Sequence, residues 1–437
     1  MFNVNAIQAA VREIRQEELV QHSGKVVQVI GLMIESRGPT AVAIGERCLI
    51  QIQQRQTIEA EVVGFREGHV LLMPYGETTS IAPGSIVLAT GKPLHVPVGN
   101  ELIGKVLDGL GRPLDGESLE NLRTTSIVRK PPSPLERPRI SDVLSTGIRA
   151  IDGLLTVGQG QRVGLFAGSG VGKSTLLGMI AKRSTADINV IALIGERGRE
   201  VKEFVEAELG EEGMKRSILV VATSDQPPLV RLKGAYTATA IAEYFRDQGK
   251  NVVLMMDSVT RFAMAQREIG LATGEPPASK GYTPSVFALL PQLLERSGKT
   301  QDGSITAFYT VLVDGDDMNE PIADAVRGIL DGHFVLDRNL ANKGQFPAIH
   351  VLRSISRVMN QITTSEQKTA AVAFRQLLST YLDSEDLINI GAYKTGTNPE
   401  IDRAVDTYPE LIRFLKQQIH EDSDFEAACH QLMATIQ

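Results

Sequence analysis

Eight consecutive residues near the middle of the sequence have the types and order that bind a polyphosphate. They follow the apolar stretch 162–167 and are Gly168, Ser169, Gly170, Val171, Gly172, Lys173, Ser174 and Thr175. Glycines let the backbone curl so that its N–H groups point at phosphate oxygens, and a helix starting there adds its positive end. Lys173 could reach the outer phosphates, and the Ser174 hydroxyl could ligate Mg²⁺. We therefore predict a nucleotide phosphate loop, although Ala167 stands where the usual pattern has glycine.

Two carboxylates follow other apolar stretches and could complete this site. Asp257 ends the stretch 251–256, and in phosphate-loop sites a carboxylate at such a point holds Mg²⁺ directly or through water. Glu196 follows the stretch 189–194 and could orient, or take a proton from, the water that attacks the terminal phosphate. Alternatively, Asp257 could cap the next helix, and Glu196 with Arg197 could form an ordinary charged turn.

Two arginines and two aromatic residues are further candidates for this chemistry. Arg261 comes four residues after Asp257 and could sense the terminal phosphate or pair with a nearby acid. Arg357 could stabilise transition-state charge in a neighbouring chain, or it could form a surface ion pair. Phe346 and Tyr393 could stack on adenine or fill a core. Spacing alone leaves each of these alternatives open.

A sheet whose strands alternate with helices must hold these residues. Between residues 141 and 365 the strand-like stretches are 162–167, 189–194, 217–222, 251–256 and 304–312. The helical patterns between them are 174–184, 198–209, 232–248 and 283–297. This alternation predicts an α/β domain with a mostly parallel sheet that is covered by helices on both faces. Ligands of such sheets bind beyond the carboxyl ends of the strands, where Lys173, Glu196 and Asp257 would meet.

Three segments precede this domain. Residues 1–22 carry a narrow apolar helical stripe, which could pack on the chain itself or dock a partner helix. Residues 98–140 form a connector rich in glycine and proline. Residues 23–97 predict a small closed β-barrel. Its strand-like stretches are 26–30, 41–44, 48–50, 58–63 and 69–73.

Residues 366–437 predict an all-helical domain at the C-terminal end. Its helical stretches are 366–381, 384–390, 399–405, 408–418 and 422–436. Pro399 and Pro409 suit the first turns of two of these helices, where a missing N–H costs nothing.

The composition restricts where the chain works and what it binds. With 437 residues the chain can form two or three domains. A net charge of −7 argues against electrostatic binding of nucleic acid or of an anionic membrane by the chain as a whole. The two cysteines, Cys48 and Cys429, suit a reducing compartment. Neither a membrane-spanning stretch nor a signal-peptide pattern is found. We therefore expect a soluble intracellular protein, and any membrane association would go through partners.

Four segments together resemble the rotary ATP synthase α/β superfamily of RecA-type ATPases. They are A-G-S-G-V-G-K-S-T at 167–175, I-G-E-R-G-R-E at 194–200, L-M-M-D-S-V-T-R-F-A at 254–263 and F-P-A-I-H-V-L-R-S-I-S-R at 346–357. Within it the chain is most similar to the ATPases of flagellar type III export, through G-L-M-I-E-S at 31–36, A-I-G-E-R-C at 43–48, T-G-I-R-A-I-D at 146–152 and I-G-A-Y-K-T-G-T-N-P-E-I-D at 390–402. The resemblance implies a RecA-type P-loop NTPase core with an N-terminal β-barrel and a C-terminal helical domain. It also implies an Mg²⁺-dependent ATP hydrolase that energises export of flagellar proteins.

The resemblance further implies roles for individual residues. Glu196 falls at the catalytic glutamate, Arg357 at an arginine finger supplied to the neighbouring subunit, and Phe346 at the adenine-facing aromatic residue. The phosphate, Mg²⁺ and sensing positions fall on Lys173, Ser174, Asp257, Arg197 and Arg261.

Partners are also implied by the resemblance. They are a homohexameric ring with a barrel collar, a stator-like regulator dimer bound by the N-terminal helix, a small coiled-coil stalk protein, an export gate at the membrane, and export substrates with chaperones. An injectisome type III secretion ATPase and the catalytic subunit of a rotary ATP synthase remain alternatives. A hexameric RecA-type helicase is opposed by the acidic balance and by a barrel with few aromatic residues.

Overall fold

The computed structural model describes residues 22–52, 56–119, 121–313 and 317–436. They form two compact units, one ending at His95 with two short segments from later in the chain, and one containing the rest. The helix predicted at the N-terminus lies outside the described residues. No helix in the described ranges is both long and apolar enough to cross a membrane.

The first unit is a closed antiparallel barrel, as the sequence predicts. Its strands are β1 (Ser23–Ile30), β2 (Met33–Arg37), β3 (Glu46–Gln51), β4 (Thr57–Arg66), β5 (His69–Pro74) and β6 (Ile86–Pro93). They pair in the order β1-β2-β5-β4-β3-β6 before the barrel closes. Apolar side chains from these strands fill the interior and include Val26, Ile34, Cys48, Ile50, Val62, Leu72 and Val87.

The strand predicted at 41–44 is wrong, and β2 and β6 were not predicted. Residues 41–44 form no strand because their polar groups are used locally: the Ala43 N–H donates to the Glu46 carboxylate at 3.2 Å, and the Glu46 N–H donates to the Ala43 carbonyl at 3.1 Å. Such a turn satisfies the backbone groups that a strand would offer to a neighbour.

Further strands follow the barrel in the described residues, and several of them have only two to four residues. They are β7 (His95–Val98), β8 (Val106–Asp108), β9 (Arg123–Ser126), β10 (Val143–Leu144), β11 (Val157–Gly158), β12 (Arg162–Ala167), β13 (Ile188–Ile194), β14 (Ser217–Ala222), β15 (Asn251–Asp257), β16 (Gly298–Lys299), β17 (Ser304–Leu312), β18 (Gly332–Leu336) and β19 (Ile355–Ser356). The five strands predicted for the central domain are all present, as β12, β13, β14, β15 and β17.

The main sheet of the second unit runs in the order β19-β18-β12-β17-β15-β13-β14-β8, with β16 paired beside β17. All neighbours are parallel except the β18–β19 and β16–β17 pairs. The central strands are mainly apolar because both faces of the sheet are covered, although β17 also buries Ser304, Thr306 and Thr310. The segment 98–140 is more than a connector, since its strand β8 pairs with β14 at the sheet edge.

Helices cover this sheet and continue beyond it. They are α1 (Arg149–Leu154), α2 (Lys173–Arg183), α3 (Gly198–Glu203), a π-helical turn (Phe204–Leu209), α4 (Gly210–Met214), α5 (Pro228–Arg246), α6 (Val259–Thr273), α7 (Pro284–Leu294), α8 (Pro321–Ile329), α9 (Arg338–Asn342), α10 (Met359–Ile362), α11 (Ser365–Asn389), α12 (Pro399–Leu415) and α13 (Phe425–Ile436).

The C-terminal domain is helical as predicted, but its helices are longer and fewer. The breaks predicted near residues 382 and 407 are wrong, because α11 and α12 each run through. Pro409 lies inside α12 and not in a first turn. The buried stripe of α12, which includes Ala404, Leu411 and Phe414, offsets the hydrogen bond that an interior proline loses.

Arg149 joins this helical domain to the start of the central domain. Its Nε donates to the Phe414 carbonyl at 2.9 Å, and its other guanidinium N–H groups contact the Lys416 carbonyl and the Glu421 carboxylate. The side chain of Gln417 accepts the Arg149 N–H at 2.8 Å. A buried arginine with so many acceptors fixes the end of α12 against α1.

Candidate active site

The predicted phosphate loop lies at the carboxyl end of β12 and leads directly into α2. Gly170 and Gly172 take positive φ angles of 76° and 84°, which glycine adopts without strain. Ala167 is the last residue of β12 and is fully buried, so the departure from the usual pattern leaves the turn intact. The first N–H groups of α2 therefore face the space above the sheet, where an anion would be stabilised.

Lys173, Asp257 and Glu196 meet in front of this loop. The Lys173 Nζ lies 2.6 Å from Asp257 Oδ1 and 3.8 Å from Glu196 Oε1. Asp257 ends β15, Glu196 follows β13, and all three side chains are at least 85% buried, with exposed fractions of 5% to 15%. The structure thus brings together one cation and two carboxylates from three parallel strand ends.

Burial and the charges in this cluster shift the pKa values of Lys173 and Glu196. Burial raises the pKa of Glu196 and the negative charge of Asp257 raises it further, to about 7, although Lys173 opposes the change. Burial lowers the pKa of Lys173, but Asp257 and Glu196 more than reverse this, so that the lysine stays charged. A carboxyl group with a pKa near neutrality can accept a proton and release it again at physiological pH.

Glu200 is a second carboxylate beside Glu196, and sequence reasoning did not single it out. A hydrogen bond from the Glu196 carboxyl lowers the pKa of Glu200, and the same bond helps to raise the pKa of Glu196. Arg197 lies 3.6 Å from Glu200, and 82% of its side chain is exposed. Arg197 is therefore mostly in solvent and paired with Glu200, and its predicted phosphate role stays a prediction.

Arg261 lies close to the turn that carries Glu196. Its stem packs on Gly195, where an added Cβ would lie 2.8 Å from the Arg261 Cβ. Gly195 also has a φ of 73°, so this position requires glycine for two reasons. Within the described residues, the buried Arg261 Nε has no hydrogen-bond partner. An unused donor next to the cluster suits the predicted role in sensing phosphate.

The two aromatic candidates differ in their placement. The Phe346 ring touches the phosphate loop, since a Cβ added at Gly172 would lie 3.4 Å from its Cδ1, and 47% of the residue is exposed. Such a ring has a free face on which adenine could stack. The Tyr393 hydroxyl donates to the Asp402 carboxylate at 2.8 Å, in the turn between α11 and α12. The hydrogen bonds of Tyr393 thus stabilise that turn, and its predicted stacking on adenine stays a prediction.

The two hydroxyl residues that follow Lys173, Ser174 and Thr175, differ in their exposure and contacts. Ser174 is exposed in the first turn of α2, directly after Lys173. The Thr175 hydroxyl donates to Glu208 Oε1 at 2.7 Å. Thr175 can therefore offer a bound phosphate its backbone N–H, while its side chain ties α2 to the π-helical turn.

Arg357 lies at the opposite end of the sheet from the phosphate loop. It follows β19, which pairs with the start of β18, and its N–H donates to the Asp331 carbonyl at 3.0 Å. Asp331 in turn donates its N–H to the carbonyl of Arg162, the first residue of β12. The five steps from Arg162 to Ala167 measure about 17 Å along an extended strand. The structure does not bring Arg357 together with Lys173 of the same chain.

Two more contacts of the site were missed by sequence reasoning. The Thr310 hydroxyl lies 2.7 Å from Asp257 Oδ1, from the strand between β12 and β15. Arg338 donates to the Ser169 carbonyl at 3.3 Å. A threonine within the apolar stretch 304–312 was a visible signal, whereas nothing in the sequence connects Arg338 with Ser169.

Comparisons with known proteins agree with this geometry in three parts of the chain. Residues 147–356 match the nucleotide-binding domain of the ATP synthase alpha/beta family, and residues 26–91 match its beta-barrel domain. Residues 363–434 match the T3SS EscN ATPase C-terminal domain.

Individual relatives are similar over nearly their full length. A flagellum-specific ATP synthase of Bacillus subtilis is 65% identical and covers 96% of both chains. A type 3 secretion system ATPase of Xanthomonas euvesicatoria is 50% identical, over 95% of this chain and 94% of that one. The assembled ATPase EscN from enteropathogenic E. coli, solved in complex with its central stalk EscO, gives a TM-score of 0.88 at 47% identity and covers 95% of this chain and 100% of that one. The chain therefore belongs to the ATP synthase α/β family and, within it, to the flagellum-specific ATPases of type III export.

Proposed function

We propose that this protein hydrolyses Mg²⁺-bound ATP to energise export of flagellar proteins through a type III secretion apparatus. The observation that carries the proposal is the cluster of Lys173, Asp257 and Glu196 in front of the phosphate loop, with Lys173 2.6 Å from Asp257. The backbone N–H groups of the loop and Lys173 bind the β- and γ-phosphates. Glu196 orients the attacking water and takes its proton as the water oxygen bonds to the γ-phosphorus. The bond between the γ-phosphorus and the bridging oxygen breaks, which leaves ADP and inorganic phosphate.

Mg²⁺ fits the donors of this site. Asp257 offers a carboxylate that is 4% exposed, and Ser174 offers a hydroxyl in the first turn of α2. Among the described residues, no group of three or more His, Cys, Asp or Glu side chains could hold a metal unaided. This suits Mg²⁺, which usually binds to one or two protein oxygens together with substrate phosphates and water. When bound, the ion would neutralise charge on the phosphate oxygens.

The test of this assignment is Glu196→Gln. The amide keeps the size of the side chain but cannot take a proton, so the variant should bind ATP with a Kd within about twofold of the wild type and lose hydrolysis by at least roughly a hundredfold. Fluorescent-nucleotide titration and phosphate release measure the two quantities. The matched control is Glu203→Gln, which removes an exposed carboxylate from α3, the short helix that follows Glu196. Hydrolysis near the wild-type rate by Glu196→Gln would refute the role of Glu196.

Arg357 acts on the site of a neighbouring chain in this proposal. Its distance from the phosphate loop of its own chain exceeds the reach of an arginine side chain, because it lies beside the first residue of β12 while the loop follows the last. An arginine supplied in this way stabilises the charge that develops on the transferred phosphoryl group, with an effect of about 10³-fold or more on kcat.

Mixed oligomers test whether Arg357 acts between chains. Arg357→Ala and Lys173→Ala should each be inactive alone. In a mixture, a Lys173→Ala chain still offers Arg357 to the intact phosphate loop of an Arg357→Ala chain, so activity should reappear. Absence of any recovery in oligomers of normal size would contradict an arginine supplied between chains.

The remaining parts of the proposal concern assembly and partners. EscN assembles and binds a central stalk, and we propose a homohexameric ring for this chain, with a small coiled-coil stalk protein against its C-terminal helices. We keep the domain boundaries 1–22 for regulator binding, 23–97 for the collar, 98–140 for the connector, 141–365 for the ATPase core and 366–437 for the helical domain. A stator-like regulator, an export gate, substrates and chaperones complete the partners of a cytoplasmic enzyme at the inner membrane face. Co-purification from cells tests this set.

A further inference from the structure

The strand β12 has functional groups at both ends. Its carboxyl end leads into the phosphate loop, and its first residue, Arg162, contacts Asp331, whose carbonyl accepts the Arg357 N–H. The Arg162 side chain forms a forked contact with Asp331: Nε lies 2.9 Å from Oδ2, and Nη2 lies 3.0 Å from Oδ1. The Arg162 N–H donates to the same carboxylate at 3.1 Å. Paired contacts of this kind fix the direction as well as the distance of the two groups.

Asp331 also holds the backbone at Arg357. Its carbonyl accepts the Arg357 N–H at 3.0 Å and the side-chain N–H of Gln161 at 3.1 Å. Gln161 is completely buried and donates to the Ser356 hydroxyl at 3.0 Å, and Ser356 donates to the Thr156 carbonyl at 2.8 Å. The residue before Arg357 and the N–H of Arg357 itself are therefore both fixed by groups around the start of β12.

The side chain of Arg357 itself is left free. It is exposed, and its guanidinium forms no ion pair with any residue in the described part of the chain. Gly332, next to Asp331, allows β19 to approach closely, because a Cβ there would lie 2.6 Å from the Ile355 carbonyl oxygen. The segment thus combines a rigid backbone with an unpaired cation that points outward, which is the arrangement that an arginine needs to reach a second chain.

We propose that Asp331 is a positioning residue for Arg357, and that its forked contact with Arg162 sets where Arg357 stands in the site of the neighbouring chain. This inference rests on the proposed role of Arg357 between chains. A misplacement of about 1 Å can lower a rate by about a hundredfold even when the binding groups are intact. Loss of the Asp331 charge therefore affects turnover in the neighbouring chain and leaves ATP binding to the chain's own phosphate loop unchanged.

Asp331→Asn tests the proposal because it keeps the shape of the side chain and removes its charge. In the assembled oligomer we expect kcat to fall by about 10- to 100-fold while the KM for ATP stays within about twofold of the wild type. Asp331→Glu keeps the carboxylate and should retain most of the activity. Asp324→Asn is the matched control, since Asp324 pairs with Arg327 at 2.7 Å on the nearby helix α8 and is largely exposed.

Mixing with Lys173→Ala chains separates positioning from damage to the chain's own site. Lys173→Ala chains have an intact Asp331, so they should restore hydrolysis by Asp331→Asn chains as they restore hydrolysis by Arg357→Ala chains. If Arg357→Ala is rescued and Asp331→Asn is not, the positioning role is wrong and the proposed function stands. If neither is rescued, the exchange of an arginine between chains is wrong, and the role of Asp331 is wrong with it.

A second variant keeps the proposal testable if Asp331→Asn fails to fold. Where size-exclusion chromatography shows that Asp331→Asn does not assemble, Ser356→Ala removes a single hydroxyl from the same segment. It should give the same combination of lower kcat, unchanged KM and rescue by Lys173→Ala chains. A Ser356→Ala enzyme with wild-type kcat would then overturn the proposal.

Discussion

Replacing Glu200 by Gln should move the pH dependence of ATP hydrolysis toward lower pH. Burial and Asp257 raise the pKa of Glu196 to about 7, and the hydrogen bond and the negative charge of Glu200 contribute to this value. Only the ionised form of Glu196 can accept a proton, so kcat/KM should rise with pH and level off above about pH 7. Removing the Glu200 charge stabilises the ionised form of Glu196 and lowers its pKa.

The expected size of the effect follows from this titration. With a pKa of about 7, about one tenth of the wild-type molecules carry the Glu196 carboxylate at pH 6. The hydrogen bond and the charge of Glu200 both raise the Glu196 pKa, so their loss lowers that pKa and raises this fraction. Relative to its own plateau, Glu200→Gln should therefore be severalfold more active than the wild type at pH 6, and complete ionisation sets an upper bound of about tenfold.

The assay is phosphate release at low ATP concentration between pH 5.5 and 8.5, because kcat/KM reports the ionisation of the free enzyme. Wild type and variant use the same substrate, so the titration of ATP cancels in the comparison. Glu203→Gln removes an exposed charge from the same helix and should leave the profile unchanged. An inflection that stays at the wild-type position in Glu200→Gln, or moves to higher pH, would refute the contribution of Glu200.

Two further substitutions test contacts around the site. Thr175→Val removes a hydroxyl that donates to Glu208 at 2.7 Å, so the KM for ATP should stay within about twofold while stability falls by about 1 kcal/mol. Arg149→Met keeps the apolar stem but leaves the Phe414 carbonyl without its 2.9 Å donor and breaks the other guanidinium contacts. It should lower stability by about 3 kcal/mol, which corresponds to roughly 4 °C in Tm by scanning calorimetry for a unit of this size.

Each of these substitutions has a control in the same chain. Ser174→Ala removes the neighbouring hydroxyl that we propose as a ligand of Mg²⁺ and should lower kcat/KM by at least roughly tenfold, in contrast to Thr175→Val. Arg413→Met removes an arginine that is 73% exposed and paired only with nearby Glu410 in the described residues, so its Tm should change little. Equal effects of a variant and its control would contradict the structural assignment.

Much of the site could be predicted from the sequence because its residues belong to local patterns. The phosphate loop, the apolar strand before it and the helix after it are contiguous. Asp257 and Glu196 each end an apolar stretch, and the carboxyl ends of parallel strands meet at one edge of a sheet. Lys173, Asp257 and Glu196 were therefore predicted to lie together, and they do.

Other features depend on contacts between distant residues and could not be predicted in this way. The direction of the Thr175 hydroxyl depends on Glu208, which lies 33 residues further along the chain. The strand β8 has only three residues within a glycine-rich segment, and its pairing with β14 makes it a strand. Pro409 favoured a helix start by local rules, but the packing of α12 overrides that preference.

The opposite placement of the phosphate loop and Arg357 has a consequence for assemblies that contain defective copies. In the ring that we propose, each interface would join two unlike surfaces, head to tail, and such contacts can continue until the ring closes. If Arg357 acts between chains as proposed, a chain that lacks only Arg357 inactivates one site, which belongs to its neighbour. A chain that lacks both Lys173 and Arg357 would then inactivate two sites. Activity should therefore decline in proportion to the fraction of intact chains in the first case, and with the square of that fraction in the second.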